Sequence, residues 1–265
     1  MIYRLLFITI LITSSYSNTI NINELQNEFI QNVSKLNVYK KKSLLRFDPN
    51  YWDTIVSKLQ MKELDLNSSQ FISVVDLKKQ LFIITFWDEK NKRFSYIGDD
   101  FISSGNINRE KEVKFGEDHY LKTPTGVFIS NHGWRSTGKK KKDNITLPYG
   151  EKDRYIFYFG KQETIRYNTF DKDRNKIYDQ NRWKIISDTL NFAVHSHQSS
   201  KPMGKPYSHG CIRMTNELNK FLDNNSILHK NAFKNKNWIH KYAKKPKHSK
   251  YRDFAGEYLI IFDKI

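Results

Sequence analysis

Hydrophobic positions change period along the chain. Between residues 18 and 67, Ile22, Leu25, Phe29, Val33 and Leu36 recur at three- and four-residue steps. Beyond an Asp48-Pro49-Asn50 break, Trp52, Ile55, Val56 and Leu59 form a second stripe. Such steps return side chains to one face of a 3.6-residue helix, so two amphipathic helices are expected in this N-terminal region. From residue 71 the pattern shortens to β-rich runs. Residues 71–77 and 81–87 flank the polar Lys78-Lys79-Gln80, and the second run is apolar on both faces, as in a strand covered on both sides. Residues 88–92 read as a turn. Further runs at 94–97, 155–159, 164–167, 190–195 and 258–262 predict a mainly β domain, a sandwich or barrel, preceded by a short helical region.

Two punctuated stretches stand out within the β region. Thr123-Pro124-Thr125-Gly126 marks a sharp corner before the apolar Val127-Phe128, because proline fixes one backbone angle and glycine takes turns other residues avoid. Thr215-Asn216-Glu217, followed by Leu218, Phe221 and Leu222, reads as an amphipathic helix with Asn216 as its cap. The long interval between Phe128 and His195 holds a lysine run and an acidic-basic stretch at 171–174, and reads as an ornamented surface loop or a lid over a cleft.

The N-terminus changes the expected location. Met1-Ile2-Tyr3-Arg4 precedes an apolar run over residues 5–12 that is short for a bilayer span, and Ser15 and Ser17 are small residues suited to cleavage before Asn18. The expected organisation is therefore a signal peptide at 1–17, a helical region at 18–67 and a catalytic domain at 68–265 with a basic C-terminal segment and a final strand. The expected location is the periplasm or cell envelope, with no stable membrane span after cleavage.

At 38% hydrophobic and 14% aromatic, a chain of 265 residues has enough apolar material for a substantial core, which excludes disorder throughout. The formal charge of +17 favours polyanions. No nucleic-acid motif accompanies the lysines at 139–142 or those scattered over 241–250, so anionic envelope polymers fit an exported protein better than DNA or RNA.

Candidate chemistry converges on residues 193–214, which hold the only cysteine, Cys211, with His209 and Gly210 before it and His195 and His197 upstream. A thiol attacks as thiolate, and a nearby imidazole supplies that form near neutral pH. In an oxidising compartment a single cysteine has no internal disulfide partner, which favours a reactive role. The same four side chains are ligand types that zinc accepts, although chelation would occupy the thiolate.

Three stretches resemble the L,D-transpeptidase catalytic domain, also called YkuD. They are residues 75–81, the corner at 123–128, and His195 followed by Ser208-His209-Gly210-Cys211-Ile212-Arg213-Met214. The resemblance covers about residues 71–222. It implies Cys211 as nucleophile, His195 as general base with its other ring nitrogen held by the Ser196 carbonyl, and an oxyanion hole from the Gly210 and Cys211 backbone N–H groups. His209, Arg213 and Ser208 are left to position substrate. The implied activity is acyl transfer on peptidoglycan stem peptides through a thioester, without a cofactor, either to cross-link stems or to attach an envelope protein. L,D-carboxypeptidase trimming is the alternative, and a zinc-binding or inactive wall-binding module is a further one. Ser196 replaces the glycine usual after the first histidine of the family.

Overall fold

The computed structural model describes residues 20–34, 48–105, 112, 114–116, 120–199, 203–234, 246–247 and 250–265. The expected signal peptide, Leu36 and most of the 241–250 lysine region lie outside these residues.

Two sheets form the body, in agreement with a mainly β fold. The first has the order β3-β2-β1-β9-β4, from β1 (Gln70–Asp76), β2 (Leu81–Asp88), β3 (Arg93–Phe101), β4 (Gly126–Ile129) and β9 (Tyr258–Phe262). The second has the order β5-β6-β7-β8, from β5 (Gly133–Arg135), β6 (Tyr155–Asn168), β7 (Lys184–Ser196) and β8 (Ile212–Met214). Alternation along a strand sends successive side chains to opposite faces, and both faces of the first sheet are covered. Phe71, Val75, Phe82, Ile84 and Phe86 join Phe157, Phe192 and Val194 of the second sheet in the main core. Their neighbours Ile72, Val74, Leu81 and Ile83 pack on the far side with Ile55 and Leu59. This explains why β1 and β2 read as apolar throughout.

Ile55 and Leu59 belong to helix α2 (Pro49–Gln60). Its start differs from the expected break. Asp48 is the cap, accepting from the Asn50 N–H at 3.0 Å, and Pro49 occupies the first turn, where its missing N–H has no intrahelical partner to lose. Helix α1 (Ile22–Phe29) continues into a wider turn at Ile30–Ser34 and buries Leu25, Phe29 and Val33 in the main core. Phe29 meets Phe221 edge to face at 5.1 Å and lies over Gly98 of β3, where an added Cβ would fall 2.3 Å from the ring.

The interval between Phe128 and His195 is not one long loop but holds β5, β6 and all but the end of β7. The two runs at 155–159 and 164–167 are one strand, β6, interrupted by a bulge between Tyr158 and Lys161 where Gly160 adopts φ +81°. Strand β7 begins at Lys184, well before the expected residue 190. The period was obscured because the outer halves of these strands form a hairpin whose residues are largely solvated, leaving no apolar alternation to read. Loops remain between β5 and β6 and between β6 and β7.

Helix α3 (Asn216–Asn224) follows β8 directly. Its cap is Thr215, whose hydroxyl accepts from the Leu218 N–H at 3.1 Å, and not Asn216 as expected. The Asn216 amide oxygen instead accepts from the Glu151 N–H at 3.3 Å, tying the β5–β6 loop to the helix. At its other end Asp223 receives Arg135 of β5 in a forked pair and lies 3.0 Å from His229 Nε2. These buried charges fix α3 against the second sheet.

Candidate active site

The site is built at the junction of β7 and β8, which run parallel with Val194 opposite Ile212 and His195 opposite Arg213. Val194, Ile212 and Met214 are fully buried in the core. Alternation therefore turns His195 and Arg213 to the opposite face of the sheet, while Cys211 lies just before β8, partly buried against the core. The apolar residues anchor the strands, and the chemistry-bearing residues occupy the intervening positions.

The loop leading to Cys211 is held by three segments. Ser103 exchanges two backbone hydrogen bonds with Arg213, at 2.8 and 2.9 Å, and Ser208 N–H donates to the Ser104 carbonyl at 3.0 Å. Gln80 pins Ser104 in turn, its side-chain oxygen accepting from the Ser104 N–H at 2.9 Å. Thr123, from the proline corner, donates its hydroxyl to the Gly210 carbonyl at 2.5 Å while accepting from the Gly105 N–H at 2.9 Å. The corner thus reaches the nucleophile loop through a fully buried hydroxyl.

Gly210 has φ +123°, and a Cβ there would meet Leu190 at 2.9 Å and Leu121 at 3.1 Å, so both conformation and space require glycine. Its N–H donates to the Ser208 hydroxyl at 3.0 Å. The donor expected in an oxyanion hole is therefore engaged within its own turn in this state.

Cys211 is partly exposed, and its Sγ lies 3.5 Å from the Asn191 carbonyl, the acceptor of the thiol proton. Burial raises the thiol pKa, while a backbone hydrogen bond with Ala193 and the charge of Arg213 act the other way. His195 is 5% exposed, with Nδ1 2.8 Å from the Ser196 carbonyl. An N–H at Nδ1 donating to that carbonyl leaves Nε2 as the lone-pair nitrogen. Burial pushes the His195 pKa down to about 3, with Arg213 and His197 adding to the effect and the Ser196 bond opposing it.

A further side chain joins them. The Tyr149 ring lies 5.0 Å from the His195 ring, and its pKa is raised by burial and then by Cys211. Its carbonyl accepts from the Ser196 hydroxyl at 3.2 Å, and Leu147 and Gln198 exchange backbone hydrogen bonds beside it. The close approach requires Gly150, where an added Cβ would lie 1.7 Å from Ser196 Oγ. Neither Tyr149 nor Asn191 is singled out by the sequence. Both act through a backbone carbonyl or a ring brought in by tertiary packing, and only the Pro148-Tyr149-Gly150 turn hinted at the first.

The remaining expected residues are placed around this core. Arg213 donates to the Tyr207 carbonyl at 3.1 Å, and burial lowers its pKa against the opposing influence of Cys211, Tyr149 and Tyr120. His209 packs edge-on to Tyr120 at 4.5 Å, and His197 Nδ1 lies 3.1 Å from the Pro148 carbonyl. Among the described residues, no group of three or more His, Cys, Asp or Glu side chains is gathered as a metal site, so the four candidate zinc ligands do not converge. No described helix is long and apolar enough to cross a membrane.

The family model of the L,D-transpeptidase catalytic domain, YkuD, matches residues 70–226. No curated protein is significantly similar to the chain. Among solved structures, Bd1075 of Bdellovibrio bacteriovorus is 19% identical with a TM-score of 0.35, over 76% of this chain and 50% of that one. The helical cell shape determining protein Pgp2 from Campylobacter jejuni is 12% identical with a TM-score of 0.38, over 80% and 55% of the two chains. An L,D-transpeptidase from Xylanimonas cellulosilytica is 16% identical with a TM-score of 0.32, over 80% and 69%. The chain thus spans about half the length of the first two. The matched segment takes in both strands that carry His195 and Cys211, the corner at Thr123 and the helix behind them, and on that match the chain belongs to the L,D-transpeptidase catalytic domain family.

Proposed function

We propose that the protein is an exported cysteine acyltransferase of the cell envelope that acts on peptidoglycan stem peptides. The observation that carries this reading is the His195 imidazole, its Nδ1 2.8 Å from the Ser196 carbonyl, on the strand that pairs with the one the partly exposed Cys211 leads into. Family membership supplies the substrate class.

In the proposed reaction the thiol proton leaves Sγ for His195 Nε2, and the sulfur attacks the carbonyl that joins the stem to its terminal D-residue. The tetrahedral oxyanion needs donors aimed at it. The Cys211 N–H and the Gly210 N–H fill that role once Ser208 Oγ releases the latter. Collapse breaks the C–N bond, His195 returns the proton to the departing amine, and a thioester remains. An amine from a second stem attacks the thioester, restoring the thiol and forming the cross-link. Arg213, close to Cys211, suits a substrate carboxylate.

Incubation of the mature protein with purified muropeptides, followed by mass spectrometry, tests this. A dimer formed with loss of the terminal residue is the expected product. Tripeptide without dimer would make water the acceptor and the enzyme an L,D-carboxypeptidase. Unchanged substrate, with Cys211 still open to a thiol reagent, would overturn the reading.

A further inference from the structure

Sheet alternation places more than His195 on the outer face of the second sheet. Along β6, Tyr155 and Phe157 turn into the core, and their partners across the ladder are Arg135 and Gly133. Trp134 is instead opposite Ile156, and Tyr158 is opposite Ala193, two residues before His195 on β7. Trp134, Tyr158, Ala193 and His195 therefore share one face.

On that face three rings form a cluster. The Tyr158 ring lies 5.8 Å from Trp134 and 5.2 Å from His132, all three half-buried. The backbone fixes them. Tyr158 N–H donates to the His132 carbonyl and Asn131 N–H to the Tyr158 carbonyl, both at 3.0 Å. Nor is the cluster remote from the chemistry: the Tyr158 hydroxyl donates to Asn191 Oδ1 at 3.2 Å, and the carbonyl of the same Asn191 lies 3.5 Å from Cys211 Sγ. One residue thus borders both the ring cluster and the nucleophile.

In a chain with 45 lysines and arginines, the cluster itself carries none, since Arg135 beside Trp134 is turned inward to Asp223. A neutral ligand is matched here, not a polyanion. Aromatic faces are electron-rich and attract polarised C–H groups, while an indole N–H can donate and a phenol oxygen can accept hydrogen bonds at the ring edges. A pyranose has that combination, with a face of axial C–H groups and a rim of hydroxyls and amides.

We infer that His132, Trp134 and Tyr158 form a saccharide-stacking subsite that holds an N-acetylhexosamine unit of the glycan beside the acylation site. This rests on the proposed action on peptidoglycan, and adds to it that the glycan is held by the same sheet face as the stem.

The test is direct binding, without turnover, of a peptide-free β-1,4-linked N-acetylglucosamine tetrasaccharide, followed by titration calorimetry and tryptophan fluorescence. Wild type should bind, with Trp134→Ala and Tyr158→Ala each weakening affinity at least about tenfold. Trp134→Phe, which keeps a ring, should retain most of it. Unchanged thermal midpoints show that the variants fold, and a variant that fails to fold is replaced in the comparison by Tyr158→Leu. Absence of saccharide binding by wild type, or equal binding by Trp134→Ala, would overturn the subsite while leaving acyl transfer intact. Displacement of the saccharide by a free stem tetrapeptide would also overturn it, assigning the rings to the peptide. Saccharide binding without any muropeptide conversion would instead count against the proposed reaction alone.

Discussion

Arg213 stands directly across the parallel β7–β8 ladder from His195. The imidazole therefore meets a fixed positive charge as well as a buried wall, and burial is the largest of the effects that lower its pKa. A neutral imidazole can accept the thiol proton, whereas an imidazolium cannot.

This arrangement has a consequence for stability. With the folded pKa of His195 at about 3 and an unfolded value near 6.5, the unfolded chain binds the extra proton between them. The stability contribution is present above about pH 6.5 and is lost as pH falls towards the folded value. Urea unfolding should show wild type losing about 1.4 kcal/mol per pH unit more than His195→Gln below pH 6. Parallel pH profiles for the two proteins would show that His195 is accessible to protons in the folded state.

Thr123 offers a separate test of how the nucleophile loop is held. Thr123→Val keeps the shape but removes both the donor to the buried Gly210 carbonyl and the acceptor for the part-buried Gly105 N–H. The expected loss is about 1–3 kcal/mol. Acylation of Cys211 by a thioester-forming substrate analogue should slow about tenfold, because Gly210 immediately precedes the attacking residue. Intact-mass kinetics and denaturant unfolding measure the two effects on one sample, and Thr123→Ser should restore both.

Gly98 reports on the N-terminal helix. A methyl at this position overlaps the Phe29 ring, so Gly98→Ala should destabilise the fold by about 1–3 kcal/mol. Combining it with Phe29→Leu should recover part of the loss, since the two side chains contest one space. Additive losses in urea melts would show that α1 is not seated on β3 in solution.

The basic surface predicts salt-sensitive attachment to the wall. The formal charge is +17, and the exposed lysines at 139–142 are on the described surface. Attraction between exposed charges is screened over about 8 Å at physiological ionic strength. Sedimentation with isolated cell wall should therefore fall steeply as salt rises. Binding that persists unchanged in high salt would assign attachment to neutral contacts such as the ring cluster.

Much of the fold was legible because burial imposes a period. Phe71, Val75, Phe82 and Ile84 announce strands because their apolar side chains must reach a core, and Ile22, Leu25, Phe29 and Val33 announce a helix for the same reason. Local rules also marked the glycine before Cys211 and the corner at Thr123-Pro124, since backbone angles are set by the residue itself and its immediate neighbours. The outer half of β7 escaped because a strand with solvated faces leaves no apolar alternation. The cap passed from Asn216 to Thr215 because neighbouring polar residues compete for one helix end, and the contact of Asn216 with Glu151 from a distant loop decided between them. What only tertiary structure decided is which groups surround the thiol. The Asn191 carbonyl, the Tyr149 ring and the neutrality of His195 depend on segments far apart in sequence being packed into one low-dielectric space, and neither distance nor burial is a property of any local stretch.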